Sequence, residues 1–255
     1  MILLLGGTAD ARTLAEQLVG RGHEVTSSLA GAVAHPRLPS GKVRIGGFGG
    51  VAGLTGYLRA HHICAVVDAT HPFAARMTSH AQAACAQAKV PLLRYVRASW
   101  ATRCDADQWH WADDLDNARG VAERQGQRTF LAIGRQGVEP FLAWQERYTL
   151  LRVVDPPELP VPACWDVIRA RGPFTVAGDL QLMRQRRIDV LVAKDAGGAA
   201  GVAKLDAAAR LQIPVVMLRR PPIPEDLATA TTIEQARGWL EAGPVSRPQL
   251  PAVGN

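Results

Sequence analysis

A glycine turn with a hydroxyl residue, Gly6-Gly7-Thr8, directly follows the apolar run Ile2–Leu5. Adjacent glycines let the backbone approach a pyrophosphate closely, and the Thr8 hydroxyl can donate a further hydrogen bond to it. The turn is not a complete G-x-G-x-x-G fingerprint, because small alanines stand where the third glycine would be. It is therefore either a dinucleotide-binding turn or a plain connection between a strand and a helix.

Two serines, Ser27 and Ser28, stand where NAD-binding folds place an acidic residue that accepts a hydrogen bond from the ribose. Neutral hydroxyls with arginines nearby, here Arg12 and Arg37, suit the 2′-phosphate of NADP instead. A plainer interpretation is that the serines cap a loop and that Arg12 lies on a solvated helix face. The pattern alone leaves both interpretations open.

Two further glycine-containing turns follow apolar runs in the second half of the chain. One contains Gly134 and Arg135, and the other reads Lys194-Asp195-Ala196-Gly197-Gly198. In an open parallel sheet, such turns lie beyond the carboxyl ends of the strands, where ligands bind. The glycine pair suits close approach to an anion, either a cofactor phosphate or a substrate carboxylate, unless the turn is an ordinary connection.

Basic residues outnumber acidic ones, since 29 Lys and Arg residues against 23 Asp and Glu residues give a formal charge of +6. This excess favours an anionic partner. We do not expect that partner to be nucleic acid, because aromatic residues are only 5% of the chain and basic clusters with interleaved aromatics are missing. Six cations stand at predicted strand ends or at a helix start, namely Arg94, Arg97, Arg135, Arg152, Lys204 and Arg219. Each alone could also be a surface or structural cation.

Apolar runs alternate with segments of helical periodicity along most of the chain, which is typical of α/β folds with mainly parallel sheets. Strands are predicted at 2–5, 23–28, 43–45, 64–68 and 92–96, and then at 129–133, 149–154, 175–177, 188–193 and 215–218. Helices are predicted between them, among others at 51–61, 74–89, 203–211 and 232–242. The pattern pauses between Ser99 and Gln127, so we predict an N-terminal Rossmann-like domain at 1–98, a second one at 99–243 and a mobile tail at 244–255.

Several classes of protein are disfavoured by motifs that the sequence lacks. No apolar run approaches the roughly 18 to 20 residues of a membrane span, and no signal peptide is recognisable, so we expect a cytoplasmic protein with no membrane partner. The four scattered cysteines form no CxxC pair, so we interpret them as free buried thiols and expect no metal site. The absence of Tyr-x-x-x-Lys, G-x-S-x-G, Walker and H-E-x-x-H motifs argues against short-chain dehydrogenase, hydrolase, kinase and zinc-protease chemistry.

One set of motifs occurs in an order and spacing that resemble a known family. It comprises Leu4-Leu5-Gly6-Gly7-Thr8 with Arg12, Asp68-Ala69-Thr70-His71-Pro72-Phe73-Ala74, Arg94-Tyr95 with Arg97, Lys194-Asp195 with Gly197-Gly198 and Lys204, and Arg219-Arg220-Pro221. From about residue 1 to about residue 222, the chain resembles the precorrin-6A reductases of cobalamin biosynthesis. The D-A-T-H-P-F-A segment is the most specific part. One departure is Ala196, where we expect a small hydroxyl residue in many relatives.

The resemblance implies an NADPH-dependent reduction of one double bond in the corrin precursor macrocycle, which converts precorrin-6A to precorrin-6B. It also implies two Rossmann-like lobes with an interdomain cleft for cofactor and macrocycle. The substrate carries many acetate and propionate groups, which suits the positive charge of the chain. Transfer contacts with neighbouring pathway enzymes are a further expectation.

Candidate site residues follow from the turns and the resemblance together. We expect cofactor binding by Gly6, Gly7, Thr8, Arg12, Ser27, Ser28, Thr70, Gly134, Arg135, Gly197 and Gly198. We expect substrate carboxylates on Arg94, Arg97, Arg152, Lys204 and Arg219. A proton must also reach the carbon next to the one that takes the hydride, and His71, Lys194, Asp195 or solvent could supply it. His71 could equally be a helix-start residue that bonds locally.

Two other functions remain open from the sequence. The first is a cobalt-precorrin-6A reductase of the anaerobic branch, which performs the same reduction on a metal-containing ring. The second is a non-catalytic dinucleotide-binding protein, a sensor or an assembly partner, in which the basic edge would be a protein-binding face.

Overall fold

A computed structural model describes residues 1–31 and 35–243, which form two compact units. Unit 1 contains residues 1–96 together with the segment from residue 223 onward, and unit 2 contains residues 97–222. Within the described residues, no helix has both the length and the apolar character needed to cross a membrane.

Strands and helices alternate along both units. The strands are β1 (Ile2–Leu5), β2 (Val25–Leu29), β3 (Lys42–Ile45), β4 (Ala65–Asp68), β5 (Leu92–Tyr95), β6 (His110–Ala112), β7 (Thr129–Ala132), β8 (Thr149–Val153), β9 (Trp165–Arg169), β10 (Val190–Lys194), β11 (Val215–Leu218) and β12 (Ala228–Ala230). The helices are α1 (Ala9–Gly20), α2 (Gly50–Ala60), α3 (Ala75–Ala88), α4 (Leu115–Gln125), α5 (Val176–Gln185), α6 (Ala203–Arg210) and α7 (Ile233–Glu241).

Unit 1 is a six-stranded parallel sheet in the order β12-β5-β4-β1-β2-β3. Alternate residues of its strands enter two different cores, because successive side chains of a strand point to opposite faces. Leu4 packs with Leu14 of α1 and Leu240 of α7, whereas Leu5 packs with Leu54 of α2 on the other face. The order of the strands reverses between β1 and β4, and the crevice at such a switch point is where doubly wound sheets bind ligands.

Unit 2 repeats this arrangement with the strand order β6-β11-β10-β7-β8-β9, again all parallel. Its switch point therefore lies between β7 and β10. Phe130 and Leu191 of these two strands are fully buried and share a core with Leu205 of α6 and Met183 of α5. The predicted α/β fold with mainly parallel sheets is confirmed.

Some predicted boundaries differ from the structure. The segment that follows residue 222 was expected in the second domain, but β12 pairs with β5, and α7 packs against α1, so both elements belong to unit 1. The predicted strand at 175–177 is wrong, because Thr175 caps the N-terminus of α5 by accepting a hydrogen bond from Gly178 N. The segment 99–127, where the alternating pattern pauses in the sequence, contains β6 and α4. The predicted mobile tail, 244–255, lies outside the described residues.

The cysteines are free, as expected, but most of them are not buried. Cys64 and Cys104 are exposed, and Cys164 is half-buried. Only Cys85 matches the expectation of a buried thiol, and burial raises its pKa to about 12. A thiol with so high a pKa is a poor nucleophile at neutral pH.

Candidate active site

The switch point of unit 1 is formed by the turn after β1 and the turn after β4. Thr8 joins them, because its hydroxyl donates to Ala69 O at 2.8 Å while accepting from Ala11 N at 3.1 Å as the N-cap of α1. Gly7 adopts φ +103°, and a Cβ at this position would meet no atom within 4 Å. The turn is thus fixed by its hydroxyl residue and open at its second glycine.

Five residues lie in register across the carboxyl edge of this sheet. Neighbouring strands pair Arg44 with Ser28, Ser28 with Leu5, Leu5 with Asp68, and Asp68 with Arg94. Registered residues of parallel strands point to the same face, which here is the face covered by α2 and α3. The sheet therefore presents a row of polar side chains interrupted by one leucine.

Asp68 is the centre of a buried polar network on this row. It is fully buried, and its Oδ1 accepts from Thr70 N at 3.1 Å and Thr70 Oγ1 at 2.7 Å, while its Oδ2 accepts from Thr78 Oγ1 at 2.6 Å. The Arg94 Nη1 lies 2.6 Å from the same Oδ1 and also donates to Thr70 Oγ1 and to the Asp68 carbonyl. Arg94 is only 4% exposed, so it holds the D-A-T-H turn instead of facing a substrate carboxylate as predicted. Thr70 likewise supports this network.

His71 is exposed and its ring is oriented by the neighbouring backbone. Its Nδ1 accepts a hydrogen bond from Phe73 N at 3.3 Å, and its carbonyl accepts from Arg94 Nη2 at 3.3 Å. An Nδ1 that accepts carries no proton, so the neutral ring has its N–H at Nε2. His71 is therefore presented as a hydrogen-bond donor.

The two serines of β2 have different environments. Ser28 Oγ accepts from Arg44 Nη1 at 3.1 Å on the α2 face. Ser27 points to the opposite face, is 1% exposed, and its hydroxyl has no hydrogen-bond partner among the described residues. Ser27 is thus outside the candidate site, contrary to the prediction. Arg12 lies on α1, and its Nη1 donates to Thr8 O at 3.2 Å, close to the glycine turn.

Arg44 is a site residue that the sequence analysis missed. Its guanidinium donates to Ser28 Oγ, to Gly46 O at 2.6 Å and to Gly47 O at 2.9 Å. The group also lies 3.8 Å from the centroid of the Phe48 ring. Arg44 on β3 is in register with Ser28 on β2, and this pairing is the signal that could have identified it.

The switch point of unit 2 brings Lys194, at the end of β10, to the turn after β7. A Cβ built on Gly137 would lie 3.4 Å from Lys194 Nζ, and Gly134 in the same turn has φ +77° with no atom within 4 Å of a built Cβ. Burial lowers the pKa of the Lys194 ammonium. This turn therefore combines an open glycine with a lysine that releases its proton more readily than an exposed one.

Asp195, predicted as a catalytic acid, is instead the partner of an arginine. The carboxylate is 2% exposed and bound by Arg220 through two contacts, Nε to Oδ2 at 2.9 Å and Nη2 to Oδ1 at 3.0 Å. Its oxygens also accept from Ser99 Oγ at 2.6 Å and Trp100 N at 2.9 Å. These partners of Asp195 are all donors of unit 2, so the carboxylate ties Arg220, Ser99 and Trp100 together inside this unit.

Gly197 and Gly198, predicted to contact an anion, pack against the chain's own segment 97–100. A Cβ on Gly197 would lie 2.3 Å from Ala98 O, and Gly198 O accepts from Trp100 Nε1 at 3.0 Å. Both glycines have positive φ, +65° and +70°. Gly197 is buried, so the absence of its side chain is explained by close packing on Ala98 and not by a ligand.

Two further predicted substrate ligands are held inside unit 2. Arg152 forms an ion pair with Asp179, its guanidinium lies 3.7 Å from the Phe174 ring centroid, and its side chain is 8% exposed. Lys204 is 8% exposed and donates from Nζ to Gly201 O at 2.6 Å. Burial, with a smaller contribution from the charge of Arg152, lowers the pKa of Lys204 to about 8. The described contacts of both side chains are therefore made within unit 2.

Three predicted cations of unit 2 remain at least partly exposed. Arg219 follows β11, is 56% exposed in its side chain, and lies 3.1 Å from Asp113 Oδ1. Arg135 follows β7 and is 3.5 Å from Glu158 Oε1. Arg97 is half-buried and donates to Ala196 O at 3.5 Å in the turn after β10. The ion pairs of Arg135 and Arg219 are long or exposed, so these two cations are available to anionic groups at modest energetic cost.

Residues 1–241 match the family described as precorrin-6x reductase CbiJ/CobK. The chain belongs to this family. The precorrin-6A reductase of Rhodococcus erythropolis is 49% identical over 94% of this chain and 96% of its own length. The cobalt-precorrin-6A reductase of Priestia megaterium is 31% identical over 88% of this chain and 91% of its own length.

The same relationship is seen in three dimensions. The solved structure of a CobK precorrin-6A reductase superimposes with a TM-score of 0.89 at 44% identity, over 96% of this chain and 97% of that chain. The resemblance recognised from the motifs is thereby confirmed, and with it a reductase that acts on a double bond of the corrin precursor in cobalamin biosynthesis. The substrate is accordingly a corrin precursor. As a member of a reductase family, the chain needs a nicotinamide cofactor.

Within this reductase, the structure separates the predicted site residues into two groups. Those at the strand-end turns or with at least partly exposed side chains are Gly6, Gly7, Thr8, Arg12, Ser28, His71, Arg97, Gly134, Arg135, Lys194 and Arg219, of which Thr8 and Ser28 are buried, each 7% exposed. Those engaged in internal packing or buried ion pairs are Ser27, Thr70, Arg94, Arg152, Asp195, Gly197, Gly198 and Lys204. The first group supplies the candidates for direct contact.

Proposed function

We propose that this chain reduces metal-free precorrin-6A to precorrin-6B and that NADPH is its reductant. The choice of cofactor is supported by the end of β2, where Ser28 carries a hydroxyl and stands in register with Leu5, the last residue before the glycine turn. NAD-binding sheets have an acidic residue at this place, and its charge would repel a 2′-phosphate. A hydroxyl beside an arginine attracts the phosphate instead.

The residues of unit 1 fit a dinucleotide. Gly7 leaves open space at the end of β1, and the N-terminus of α1 follows directly, with its N–H groups and its positive end of the helix dipole. Arg12, one turn into α1, adds a charge near the same turn. We assign the pyrophosphate to Gly6, Gly7 and Thr8, with Arg12 as the accompanying cation. When bound, the reduced nicotinamide supplies a hydride to one carbon of the substrate double bond.

The cations at the strand ends of unit 2 fit the carboxylates of the macrocycle. Arg135 and Arg219 each have an ion pair that is long or exposed, and the half-buried Arg97 lies beside the turn after β10, where it donates to Ala196 O. Guanidinium groups bind carboxylates through paired hydrogen bonds, and several of them together fix the orientation of a polyanion. Their role is to bind and orient the substrate, and to favour its approach by charge.

The carbon next to the one that takes the hydride must gain a proton, and we assign this proton to Lys194 Nζ. The assignment is supported by the position of Lys194 at the switch point of unit 2 and by the burial that lowers its pKa. Asp195 is less suitable because it is 2% exposed and its two carboxylate oxygens are engaged by Arg220. His71, a donor at Nε2 in its neutral form, is assigned to hydrogen bonding with a substrate carboxylate.

The relatives also favour the metal-free ring. A relative named precorrin-6A reductase is 49% identical to this chain, whereas one named cobalt-precorrin-6A reductase is 31% identical. We therefore expect the metal-free macrocycle to be reduced in preference to the cobalt-containing one.

The first experiment measures the loss of NADPH absorbance with precorrin-6A, in parallel with NADH and with cobalt-precorrin-6A. Consumption that is fastest with NADPH and the metal-free ring supports the proposal. Faster reaction with NADH than with NADPH would overturn the cofactor assignment. Faster reaction with cobalt-precorrin-6A than with precorrin-6A would identify the chain as a reductase of the anaerobic branch. Binding of NADPH without consumption, from folded protein, would favour a non-catalytic dinucleotide-binding protein.

A second experiment tests the proton donor with Lys194→Met and, as a control at an exposed lysine, Lys42→Met. Loss of a positioned general acid lowers kcat by about 10²- to 10⁴-fold. Because the acid must be protonated, the wild-type kcat should fall as pH rises through the pKa of Lys194. This limb of the pH profile should disappear in Lys194→Met only. An unchanged kcat and pH profile would leave His71 or solvent as the donor.

A further inference from the structure

Arg44 carries a positive charge that the described part of the chain does not neutralise. Its guanidinium bonds only to neutral acceptors, the Ser28 hydroxyl and the carbonyls of Gly46 and Gly47. The described ion pairs include carboxylates for other arginines, such as Asp68 for Arg94, but none for Arg44. A guanidinium held by neutral groups retains its full attraction for an anion.

The position of this charge is set by the sheet. Arg44 stands in register with Ser28, and Ser28 in register with Leu5, the last residue before the glycine turn. The guanidinium thus lies on the carboxyl edge of β3, two strands from the proposed pyrophosphate turn. In doubly wound sheets, the ribose nearest the adenine extends from the first strand toward the end of the second.

The side chain is also held rigidly in place. The Arg44 Cζ lies over the Phe48 ring, 3.8 Å from the ring centroid, and 5.4 Å from the centroid of the Tyr57 ring. The two carbonyl contacts, at 2.6 Å and 2.9 Å, fix the orientation of the fork. An arginine fixed before ligand binding loses little conformational entropy when the ligand arrives, which increases its contribution to affinity.

We propose that Arg44, assisted by Ser28, recognises the 2′-phosphate of the adenine ribose and thereby selects NADPH over NADH. The inference rests on the proposed cofactor and names the residue that selects it. Because Ser28 Oγ accepts from Arg44, its own proton is available to donate to a phosphate oxygen. The guanidinium and the hydroxyl would together contact the same phosphate group. Neither Arg12, which donates to Thr8 O, nor the exposed Arg37 occupies a comparable position.

The test is calorimetric binding of adenosine 2′,5′-bisphosphate and of 5′-AMP, two probes that differ only in the 2′-phosphate. Wild-type protein should bind the bisphosphate more tightly. Arg44→Gln should reduce this preference by about 10- to 100-fold, the effect expected for a lost charge-assisted hydrogen bond, and should change the affinity for 5′-AMP little. Steady-state kinetics should agree, with a higher KM for NADPH and an unchanged KM for NADH.

The control is Arg59→Gln, which makes the same charge change at an exposed arginine of α2 that donates to Gln87 O. It should preserve the preference for the bisphosphate. If wild-type protein does not prefer the bisphosphate, the proposed cofactor is wrong. If wild-type protein prefers it and Arg44→Gln does so equally, or if Arg44→Gln weakens both probes equally, then Arg44 is not the selecting residue.

A second variant covers the case in which Arg44→Gln disturbs the turn that the guanidinium supports. Ser28→Ala leaves the guanidinium and both carbonyl contacts in place and removes one hydroxyl. Its preference for the bisphosphate should fall by about 3- to 10-fold, as expected for one neutral donor. An unchanged preference in folded Ser28→Ala protein would overturn the proposed contact.

Discussion

Asp68 and Arg94 are neighbours on β4 and β5, and their side chains form a buried ion pair in which Oδ1 and Nη1 lie 2.6 Å apart. The exposed fractions are 0% for the Asp68 side chain and 5% for the Arg94 side chain. The pair orders the backbone of the D-A-T-H turn, because Arg94 also donates to the carbonyls of Asp68 and His71. The most distinctive motif of the sequence is therefore built around a structural pair that positions His71.

Removing Arg94 should destabilise the protein strongly. In Arg94→Met, the Asp68 carboxylate stays buried without its counter-charge, which costs about 3–5 kcal/mol. Arg219→Met removes an arginine whose contact with Asp113 is largely exposed, so it should cost less than about 1 kcal/mol. Urea unfolding of both variants measures the difference. Similar losses for the two would contradict the structural role given to Arg94.

A side chain at Gly197 should be tolerated much less than one at other glycines of positive φ. In Gly197→Ala, the new Cβ would lie 2.3 Å from Ala98 O, so the segment 97–100 must move. Gly22→Ala is the matched control, since its φ is +83° and no atom lies within 4 Å of a built Cβ. We expect about 1 kcal/mol of backbone strain for Gly22→Ala and at least about 2 kcal/mol more for Gly197→Ala. Thermal unfolding measures both, and equal losses would remove the packing explanation.

Thr8 should affect both stability and cofactor binding. Thr8→Ala removes the N-cap of α1 and the contact with Ala69 O, at a cost of about 1–2 kcal/mol, whereas Thr8→Ser keeps both hydrogen bonds. The KM for NADPH should rise in Thr8→Ala and stay near the wild-type value in Thr8→Ser.

The matched control for Thr8 is Thr232→Ala, which removes the N-cap of α7 from a capping box. It should lower stability by about 1 kcal/mol and leave the KM for NADPH unchanged. A rise of the KM in Thr232→Ala as large as that in Thr8→Ala would show that general loss of stability causes the effect.

The sequence predicted the elements whose apolar runs are continuous. The strands β1 and β11 match the predicted bounds, because each is a run of four apolar residues, which is long enough for a strand and too short for a helix. Residues 110–112 and 228–230 were missed, since three-residue edge strands with exposed positions carry no periodicity. The strand predicted at 175–177 is a helix start, because Thr175 caps α5 and the buried Asp179 and Met183 follow at helical spacing.

The location of the site could be predicted, but the partners of its charges could not. The glycine turns stand at strand ends, and parallel topology brings those ends to one edge of each sheet. Which arginines are free depends on contacts between distant residues, such as Arg152 with Asp179 and Arg220 with Asp195. No local pattern encodes these pairs. Arg44 was missed for a related reason, because its role depends on the register between β2 and β3.

Lys204 should make stability depend on pH in a defined direction. Its pKa is lowered to about 8 in the folded protein, chiefly by burial, from the ordinary value of 10.5. Below pH 8, the lysine is charged in both states, and the folded protein carries the cost of burying that charge. Between about pH 8 and about pH 10.5, the unfolded chain binds more protons than the folded one, so the free energy of unfolding rises with pH.

Comparison with Lys204→Met isolates this contribution from that of other groups. The free energy of unfolding, measured by urea at about pH 7 and about pH 10, should rise more in wild-type protein than in the variant, by a difference of the order of 2–3 kcal/mol. Arg152 and Asp179, whose charges act on Lys204 in opposite directions, are unchanged in the variant. If the two proteins show the same pH dependence, then Lys204 is solvated in solution, and its ammonium is free to bind a substrate carboxylate after all.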